Sequence, residues 1–234
     1  MTTRSDAGIE TDDQGRPLAY ARGIQTFLGH ELFIAPGALV PRKETELLAK
    51  VAIAELSRRG DALRVIDMCC GAGNLACAIA AALPTVQVWA ADLTEGAVLV
   101  ARKNVELLGL QDRVTVWQGD LFAPLAPLGL ESSIDAVICN PPYISSARLA
   151  ARDDLVHEPR EAFDGGPYGI SIHQRVVTAS LPLLRQGGTL LFEFGVGQER
   201  QVSLIFERSK GYESLRLFPN EQGQPRVIGA KKRA

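Results

Sequence analysis

The tetrapeptide Asn140-Pro141-Pro142-Tyr143 offers groups that could hold and orient a planar nitrogen acceptor. An amide or exocyclic amino nitrogen is a poor nucleophile because its lone pair is delocalised into a π system. The Asn140 side-chain oxygen and the Pro141 carbonyl can each accept one N–H of such a group, which would direct its lone pair at a sulfonium methyl. Tyr143 can stack on the plane. The tetrapeptide therefore predicts methyl transfer to nitrogen, with Asn140, Pro141 and Tyr143 as catalytic residues. Pro142 is expected beside the acceptor.

A glycine-rich turn supplies a second group of candidates. It runs Asp67-Met68-Cys69-Cys70-Gly71-Ala72-Gly73 between a predicted strand and a predicted helix, where open α/β sheets bind ligands. Gly71 and Gly73 allow a tight turn, and Cys69 stands where a first glycine could be. The Asp67 carboxylate can pair with an ammonium group but would repel a pyrophosphate. This acid therefore disfavours NAD and favours a cofactor with an amino-acid end, as in S-adenosylmethionine.

Two further acids end the next predicted strands. Asp92 follows Gly73 by 19 residues, and a carboxylate at that position can accept both ribose hydroxyls. Asp120 ends the strand after that and would lie near the adenine, with an apolar neighbour. The residues predicted to bind the cofactor are Asp67, Cys69, Gly71, Gly73, Asp92, Leu93, Asp120, Leu121 and Asn140.

A mostly parallel sheet would bring these residues together. The predicted strands cover residues 64–68, 87–92, 114–118, 134–139, 189–194, 213–218 and 226–230. The predicted helices cover residues 44–59, 74–83, 95–108, 168–184 and 198–210. Their alternation indicates βαβ units with helices on both faces of the sheet, and the last two strands indicate an antiparallel hairpin. The sequence thus predicts the α/β, Rossmann-like fold of class I methyltransferases.

Length and composition are consistent with one domain. The chain has 234 residues, of which 46% are hydrophobic and 22% charged. Residues 1–22 lack periodicity and are expected to form a flexible or loosely packed lead-in, so the predicted domain covers residues 23–234. Neither a signal peptide nor a membrane span is recognisable, and we therefore expect a soluble cytoplasmic protein. A net charge of −2 argues against a surface dedicated to nucleic acid or membrane.

Cysteine and histidine spacing gives no indication of a metal site. None of the four cysteines forms a CxxC pair, so buried, reduced thiols are expected. The histidines His30, His157 and His173 show no metal-ligand spacing, and we expect them at the surface or in loops. No metal is predicted.

From about Gly23 to its end, the sequence resembles the HemK/PrmC family of protein glutamine N5-methyltransferases. The segments that carry the resemblance are residues 39–46, the turn at 67–73, residues 140–144, Glu158-Pro159-Arg160, Gly165-Gly166 and residues 223–228. The resemblance implies that Asn140 and Pro141 hold a glutamine amide in the GGQ loop of a peptide chain release factor. It also places Arg42 and Glu46 near the active site. Glu158 and Arg160 would lie in a flanking loop. All four residues could either contact the substrate or form local salt bridges that order the loops.

Two departures from the family leave the acceptor open. A typical bacterial member has a helical N-terminal domain that helps to dock the release factor, whereas about 22 residues precede the shared region here. The chain also reads Gly165-Gly166-Pro167-Tyr168-Gly169, with Tyr168 near the position of a usual aspartate. Tyr168 could line an enclosed pocket for a small planar acceptor, as in a secondary-metabolite N-methyltransferase. It could instead lie on the open rim of a site for a protein loop.

Other functions fit the residues less well. Adenine-N6 methylation would share the chemistry of the tetrapeptide but calls for a basic stripe and a target-recognition segment, neither of which is recognisable. An NAD-dependent oxidoreductase is disfavoured by Asp67 and by the tetrapeptide. A non-catalytic binding module would have lost a catalytic group, and none is visibly lost.

Overall fold

The computed structural model describes residues 3–4 and 9–233, and a seven-stranded sheet forms its centre. The strands are β1 (Thr3–Arg4), β2 (Glu10–Thr11), β3 (Ile24–Phe27), β4 (His30–Phe33), β5 (Arg64–Met68), β6 (Gln87–Asp92), β7 (Val114–Gln118), β8 (Ile134–Cys139), β9 (Leu184–Glu193), β10 (Tyr212–Pro219) and β11 (Pro225–Lys232). The helices are α1 (Leu18–Arg22), α2 (Glu46–Leu56), α3 (Asn74–Ala82), α4 (Glu95–Leu107), α5 (Ser146–Leu149), α6 (Ser171–Ser180) and α7 (Glu199–Ser209). Short 3-10 helices occur at Lys43–Thr45, Ala123–Leu128, Asp153–Leu155 and Arg160–Ala162.

The central sheet has the strand order β10-β11-β9-β8-β5-β6-β7. The pairs within β9-β8-β5-β6-β7 are parallel, and β11 pairs antiparallel with both β9 and β10. This confirms the predicted fold with its C-terminal hairpin. Strands β5 to β8 have the predicted bounds because each is a short, largely apolar run that ends at a polar or glycine-rich turn. Strand β9 begins five residues before its predicted start.

Helices cover both faces of the sheet. Helices α2, α3 and α4 bury apolar residues on one face, and α6 and α7 bury theirs on the other. All five long helices lie within their predicted ranges, but α6 is shorter because Gly169 precedes it with φ of 71° and Pro182 follows it. Gly73 is the N-cap residue directly before helix α3, and its φ of 77° favours glycine. A Cβ on Gly73 would lie 3.1 Å from the Ala101 Cβ, so α3 and α4 pack closely there.

The N-terminal segment packs on the α4 side of the sheet. The predicted lead-in lies partly outside the described residues, but within it Ala19 of α1 is buried in the core and the Tyr20 hydroxyl donates to the Ala38 carbonyl. Strands β3 and β4 form an antiparallel hairpin that the sequence analysis did not predict. The buried Asn104 joins this hairpin to the glycine-rich turn, since its amide donates to the carbonyls of Phe33 and Ala72. Within the described part of the chain, no helix has the length and apolar content needed to span a membrane.

Candidate active site

A first cavity of about 250 Å³ lies at the carboxyl ends of β5, β6 and β7. The predicted residues that line it are Cys69, Gly71, Asp92, Leu93, Asp120, Leu121, Asn140 and Pro142. Asp67 and Gly73 were predicted for the same site but do not line it. The cavity is largely apolar apart from a few polar groups, which is typical of a small-molecule site.

Asp92 ties the glycine-rich turn to the end of β6. Its Oδ2 accepts from the backbone N–H of Gly71 at 2.8 Å, and its Oδ1 accepts from that of Thr94 at 3.3 Å. Burial raises the pKa of Asp92, while these backbone donors stabilise the carboxylate and oppose the shift. The carboxylate therefore orders the turn and also borders the cavity.

Two non-glycine residues with positive φ border the first cavity. Cys69 has φ of 58° and Leu121 has φ of 48°, in the left-handed region that few side chains adopt. Such conformations cost about 1–3 kcal/mol each and persist where the surrounding structure imposes them, as happens at ligand sites. Cys69 is half-buried, whereas Cys70, Cys77 and Cys139 are buried.

Asp67 lies behind the glycine-rich turn. Its side chain is fully buried, and Oδ2 accepts from the backbone N–H of Ala76 in α3 at 2.9 Å. Oδ1 is buried and has no hydrogen-bond partner among the residues that the structure describes. Burial is the main reason that the pKa of Asp67 rises to about 8. Direct pairing of Asp67 with the cofactor remains a prediction.

Asp120 occupies a more open part of the first cavity. Its Oδ2 accepts from Arg175 Nη2 at 2.6 Å, and about half of each side chain is exposed. This exposed pair is expected to contribute little to stability. The apolar Leu121, which follows Asp120, is buried.

A second cavity of about 150 Å³ adjoins the first. Its lining is Leu39, Arg42, Glu44, Asn140, Pro141, Tyr143, Ile144, Arg152, Leu155, Ala162 and Phe163. Leu39, Asn140 and Ala162 line both cavities, so Asn140 lies where the two meet. The tetrapeptide Asn140–Tyr143 therefore borders both cavities.

The predicted acceptor residues Arg42 and Glu158 form a buried ion pair. Arg42 Nη2 lies 2.5 Å from Glu158 Oε2, and their side chains are only 7% and 1% exposed. Glu158 Oε1 also accepts from the Val40 backbone N–H at 3.0 Å. The pair joins the segment before α2 to the loop after β8, and Arg42 also lines the second cavity.

Arg160 and Tyr168 lie outside both cavity linings. Arg160 is mostly exposed and pairs with Asp164 at 3.1 Å. Tyr168 is 82% exposed, which contradicts its placement in an enclosed acceptor pocket. The cause is the turn Gly165–Gly169, where Gly166 and Gly169 both have positive φ and the chain reverses before α6.

A polar network that was not predicted from the sequence surrounds Asn140 and Tyr143. Asn140 Nδ2 donates to Thr45 Oγ1 at 3.1 Å, whereas Asn140 Oδ1 is buried and makes no hydrogen bond to any described residue. Arg226 Nη2 lies 3.1 Å from both the Tyr143 hydroxyl and Glu193 Oε1. It also lies 3.3 Å from Glu44 Oε1. Thr45 and Glu44 lie in residues 39–46, one of the segments that carry the family resemblance. Their position in that segment was the sequence signal that could have identified them as site residues.

Burial governs the titration of this network. It raises the pKa of Glu193 to about 7, against the opposing effect of Arg226, and it also raises the pKa of Tyr143. Behind the network, His173 is fully buried on α6 and its Nε2 lies 3.0 Å from the Glu193 carbonyl oxygen. Desolvation lowers the pKa of His173 to about 4, so it is neutral at physiological pH. The expectation of a surface or loop position for His173 was therefore wrong.

Comparisons with known proteins all indicate methyltransferases. The family model described as methyltransferase small domain matches residues 42–167. The release factor glutamine methyltransferase of Moorella thermoacetica is 35% identical over 226 residues, which cover 96% of this chain and 78% of that protein. The ribosomal protein uL3 glutamine methyltransferase of Bordetella pertussis is 37% identical over 183 residues, covering 76% of this chain and 59% of that protein.

Solved structures show the same similarity. A release factor-specific protein-(glutamine-N5) methyltransferase from Alicyclobacillus acidocaldarius is 26% identical, with a TM-score of 0.53 over 86% of this chain and 99% of that one. A ribosomal protein L11 methylase from Lactobacillus delbrueckii has a TM-score of 0.60 over 86% of this chain and 84% of that one. At 16% identity, the second similarity is one of fold alone.

Proposed function

Since the chain belongs to the HemK/PrmC family of protein glutamine N5-methyltransferases, we propose that it methylates the side-chain amide of a glutamine in a peptide chain release factor. Membership makes it an N-methyltransferase, and the family implies S-adenosylmethionine as methyl donor. The observation that carries the proposal is the position of Asn140. Its Oδ1 is a buried acceptor without a partner among the described residues, and it lies where the two cavities meet.

The residues of the first cavity fit this cofactor. Gly71 borders the cavity, and a side-chain Cβ at this position would meet no atom of the described residues within 4 Å, so the turn leaves free space beside its backbone. Asp92 would accept the ribose hydroxyls, and Leu121 would pack near the adenine. Asp67 Oδ1 is buried and has no hydrogen-bond partner among the described residues, and a cofactor ammonium group nearby would favour the ionised carboxylate against the effect of burial. When bound, S-adenosylmethionine would supply an electrophilic methyl group.

The second cavity would hold the glutamine side chain. Asn140 Oδ1 would accept one amide N–H and the Pro141 carbonyl the other, which fixes the amide plane and exposes one face of its nitrogen. Tyr143 would pack against that plane, held in place by Arg226, whose guanidinium lies 5.5 Å from the ring centroid. No residue needs to act as a general base, because the methylated nitrogen can lose its proton to water.

A small planar acceptor is not supported by the findings. The relatives are named for glutamine methylation of release factors or of a ribosomal protein, and Tyr168 does not enclose the second cavity. Ribosomal protein uL3 is a second candidate substrate because of the relative from Bordetella pertussis. A cytoplasmic location, expected from the sequence, belongs to the same proposal.

Mass spectrometry of methyl transfer would test the proposal. The purified chain is incubated with S-adenosylmethionine carrying a labelled methyl group and, separately, with a release factor, with uL3, and with a release factor whose GGQ glutamine is replaced by alanine. We expect label on the GGQ glutamine, and none on the alanine variant. Labelling of uL3 alone would identify uL3 as the substrate instead of a release factor. Labelling of neither protein would refute the proposal.

A further inference from the structure

The tetrapeptide at residues 140–143 has few groups of its own that could anchor its backbone. Pro141 and Pro142 have no backbone N–H, so neither can donate a hydrogen bond to a neighbouring element. Their rings do make the segment stiff, because each fixes φ at about −65°. A group that holds one end of this stiff segment therefore also sets the position of the Pro141 carbonyl, which would accept an N–H of the acceptor.

Gln198 holds that end through its side-chain carboxamide. Its Nε2 donates to the Tyr143 carbonyl at 3.0 Å and to the Gly169 carbonyl at 3.3 Å. Its Oε1 accepts from the Gly195 backbone N–H at 2.8 Å. One carboxamide thus joins the end of the tetrapeptide, the turn at residues 165–169 before α6, and the chain that follows β9.

The backbone partners of Gln198 allow only one orientation of its carboxamide. A carbonyl oxygen accepts hydrogen bonds and a backbone N–H donates them. Nε2 must therefore face Tyr143 and Gly169, while Oε1 faces Gly195. None of these partners can reverse its role by rotating a hydrogen or by changing its protonation. Rotation of the carboxamide by half a turn would lose all three hydrogen bonds and place like groups against each other.

Two glycines leave the space that the Gln198 carboxamide occupies. A Cβ on Gly169 would lie 2.9 Å from Gln198 Nε2 and 2.5 Å from the Tyr143 carbonyl oxygen, and Gly169 has φ of 71°. A Cβ on Gly195 would lie 2.8 Å from Gln198 Oε1 and 3.1 Å from Tyr143 Cδ2. A side chain at either position would displace the carboxamide or the tetrapeptide, so the contact depends on both glycines.

Helix capping does not account for the side chain of Gln198. Gln198 is the N-cap residue of α7, but its side chain makes no capping hydrogen bond to that helix. Its backbone N–H donates to the Gly195 carbonyl at 3.1 Å, so the main chain is held without the carboxamide. Gln198 lines neither cavity, whereas Pro141 and Tyr143 line the second. The side chain can therefore affect an acceptor only through the tetrapeptide.

We propose that Gln198 is a positioning residue that fixes the Pro141 carbonyl and the Tyr143 ring for the acceptor amide. The proposal rests on the proposed function and adds a residue that acts through the tetrapeptide without lining either cavity. Its consequence is that loss of the Nε2 donor reduces methyl transfer, while binding of S-adenosylmethionine in the first cavity stays unchanged.

The test compares Gln198→Glu and Gln198→Met with the control Gln201→Glu. Gln198→Glu keeps the shape and an acceptor for the Gly195 N–H, but it loses the donor to the two carbonyls. Gln198→Met removes all three hydrogen bonds at similar length. Gln201 is exposed in the first turn of α7, so Gln201→Glu adds the same charge to the same helix away from the tetrapeptide.

We expect kcat for the release factor to fall about tenfold or more in both Gln198 variants, because a misplacement of about 1 Å can cost about a hundredfold in rate. The KM for the release factor should stay within about threefold of wild type. The Kd for S-adenosylmethionine, from calorimetry, should stay within about twofold. Gln201→Glu should keep kcat within about twofold. A wild-type kcat in Gln198→Glu would overturn the proposal. Equal losses of kcat and of cofactor affinity would also overturn it, because a general packing defect would then be the cause.

A second measurement does not depend on the acceptor. In protein with isotope-labelled tyrosine, the ring resonances of Tyr143 are assigned by their loss in Tyr143→Phe. They should shift in both Gln198 variants and stay in place in Gln201→Glu. Unchanged Tyr143 resonances in Gln198→Met would overturn the proposal, even if the wild type methylated no release factor. A shift of these resonances, with no methylation by the wild type, would support the positioning of Tyr143 and refute the proposed function.

Discussion

The buried ion pair of Arg42 and Glu158 allows a quantitative prediction. Arg42→Met keeps an unbranched side chain but leaves the Glu158 carboxylate in a site that is 1% exposed. Breaking a buried pair by removing one partner typically costs about 3–5 kcal/mol. Glu158 Oε1 retains the backbone N–H of Val40 at 3.0 Å, so the lower end of that range applies. In a protein of this size, about 3 kcal/mol corresponds to a fall in Tm of about 6–12 °C.

Urea denaturation of a double-mutant cycle would measure this effect. We expect Arg42→Met and Glu158→Met to cost about 3 kcal/mol each, and the double variant to cost much less than their sum because no unpaired charge remains. Since the pair joins two segments beside the second cavity, the single variants should also raise the KM for the acceptor. Single-variant costs below about 1 kcal/mol, or costs that add, would refute the reasoning.

Four further predictions concern individual side chains. Asp92→Ala should weaken S-adenosylmethionine binding about tenfold or more in calorimetry, because it removes a charge-assisted hydrogen bond; unchanged affinity would reject its role. Asn140→Ala should abolish most turnover and leave cofactor affinity nearly intact, so equal losses of both would contradict the division between the cavities. Tyr168→Ala should change the acceptor KM less than about twofold, since Tyr168 is 82% exposed; a large increase in KM would restore the enclosed pocket. Asp67→Asn should stabilise the protein at about pH 8 but not at about pH 4, by urea denaturation. The pKa of Asp67 is about 8 in the folded protein, against an ordinary value of 3.8 for the unfolded chain. Between these two pH values the folded state holds a proton that the unfolded chain has lost, so the free energy of unfolding falls as pH rises. If the variant were no more stable than wild type at about pH 8, burial of the Asp67 carboxylate would not lower the free energy of unfolding as argued.

The bounds of the central strands could be predicted from the sequence because they follow from short runs of apolar residues and the turns after them. Strands β5 to β8 could be bounded because each is a short apolar run followed by a polar or glycine-rich turn. The hairpin of β3 and β4 was not predicted because its turn is Leu28-Gly29. Two-residue hairpin turns usually contain asparagine and glycine, and a leucine with φ of 47° does not give that sequence signal. The start of β9 was missed because Gly187 and Gly188 interrupt its apolar pattern.

Some residues of the candidate site could be predicted from the sequence, and others could not. Asp92, Asp120 and Asn140 could be placed because they end successive strands, and parallel strands end at one edge of a sheet. Glu193 and Arg226 could not, because they reach Tyr143 from strands that neighbour each other only in three dimensions. For Tyr168, residue type suggested a pocket wall, but the backbone of its turn directs it into solvent.

The two cavities are built from different parts of the fold, and this affects how the family can diversify. The first is lined by the ends of strands whose positions are set by the hydrogen bonds of the sheet. The second is lined mostly by residues 39–44 and 143–163, which lie outside the central sheet. Insertions and substitutions in those segments could change the accepted protein without moving the methyl donor. A common core could then have given rise to enzymes with distinct protein targets, such as the relatives named for release factors and for uL3.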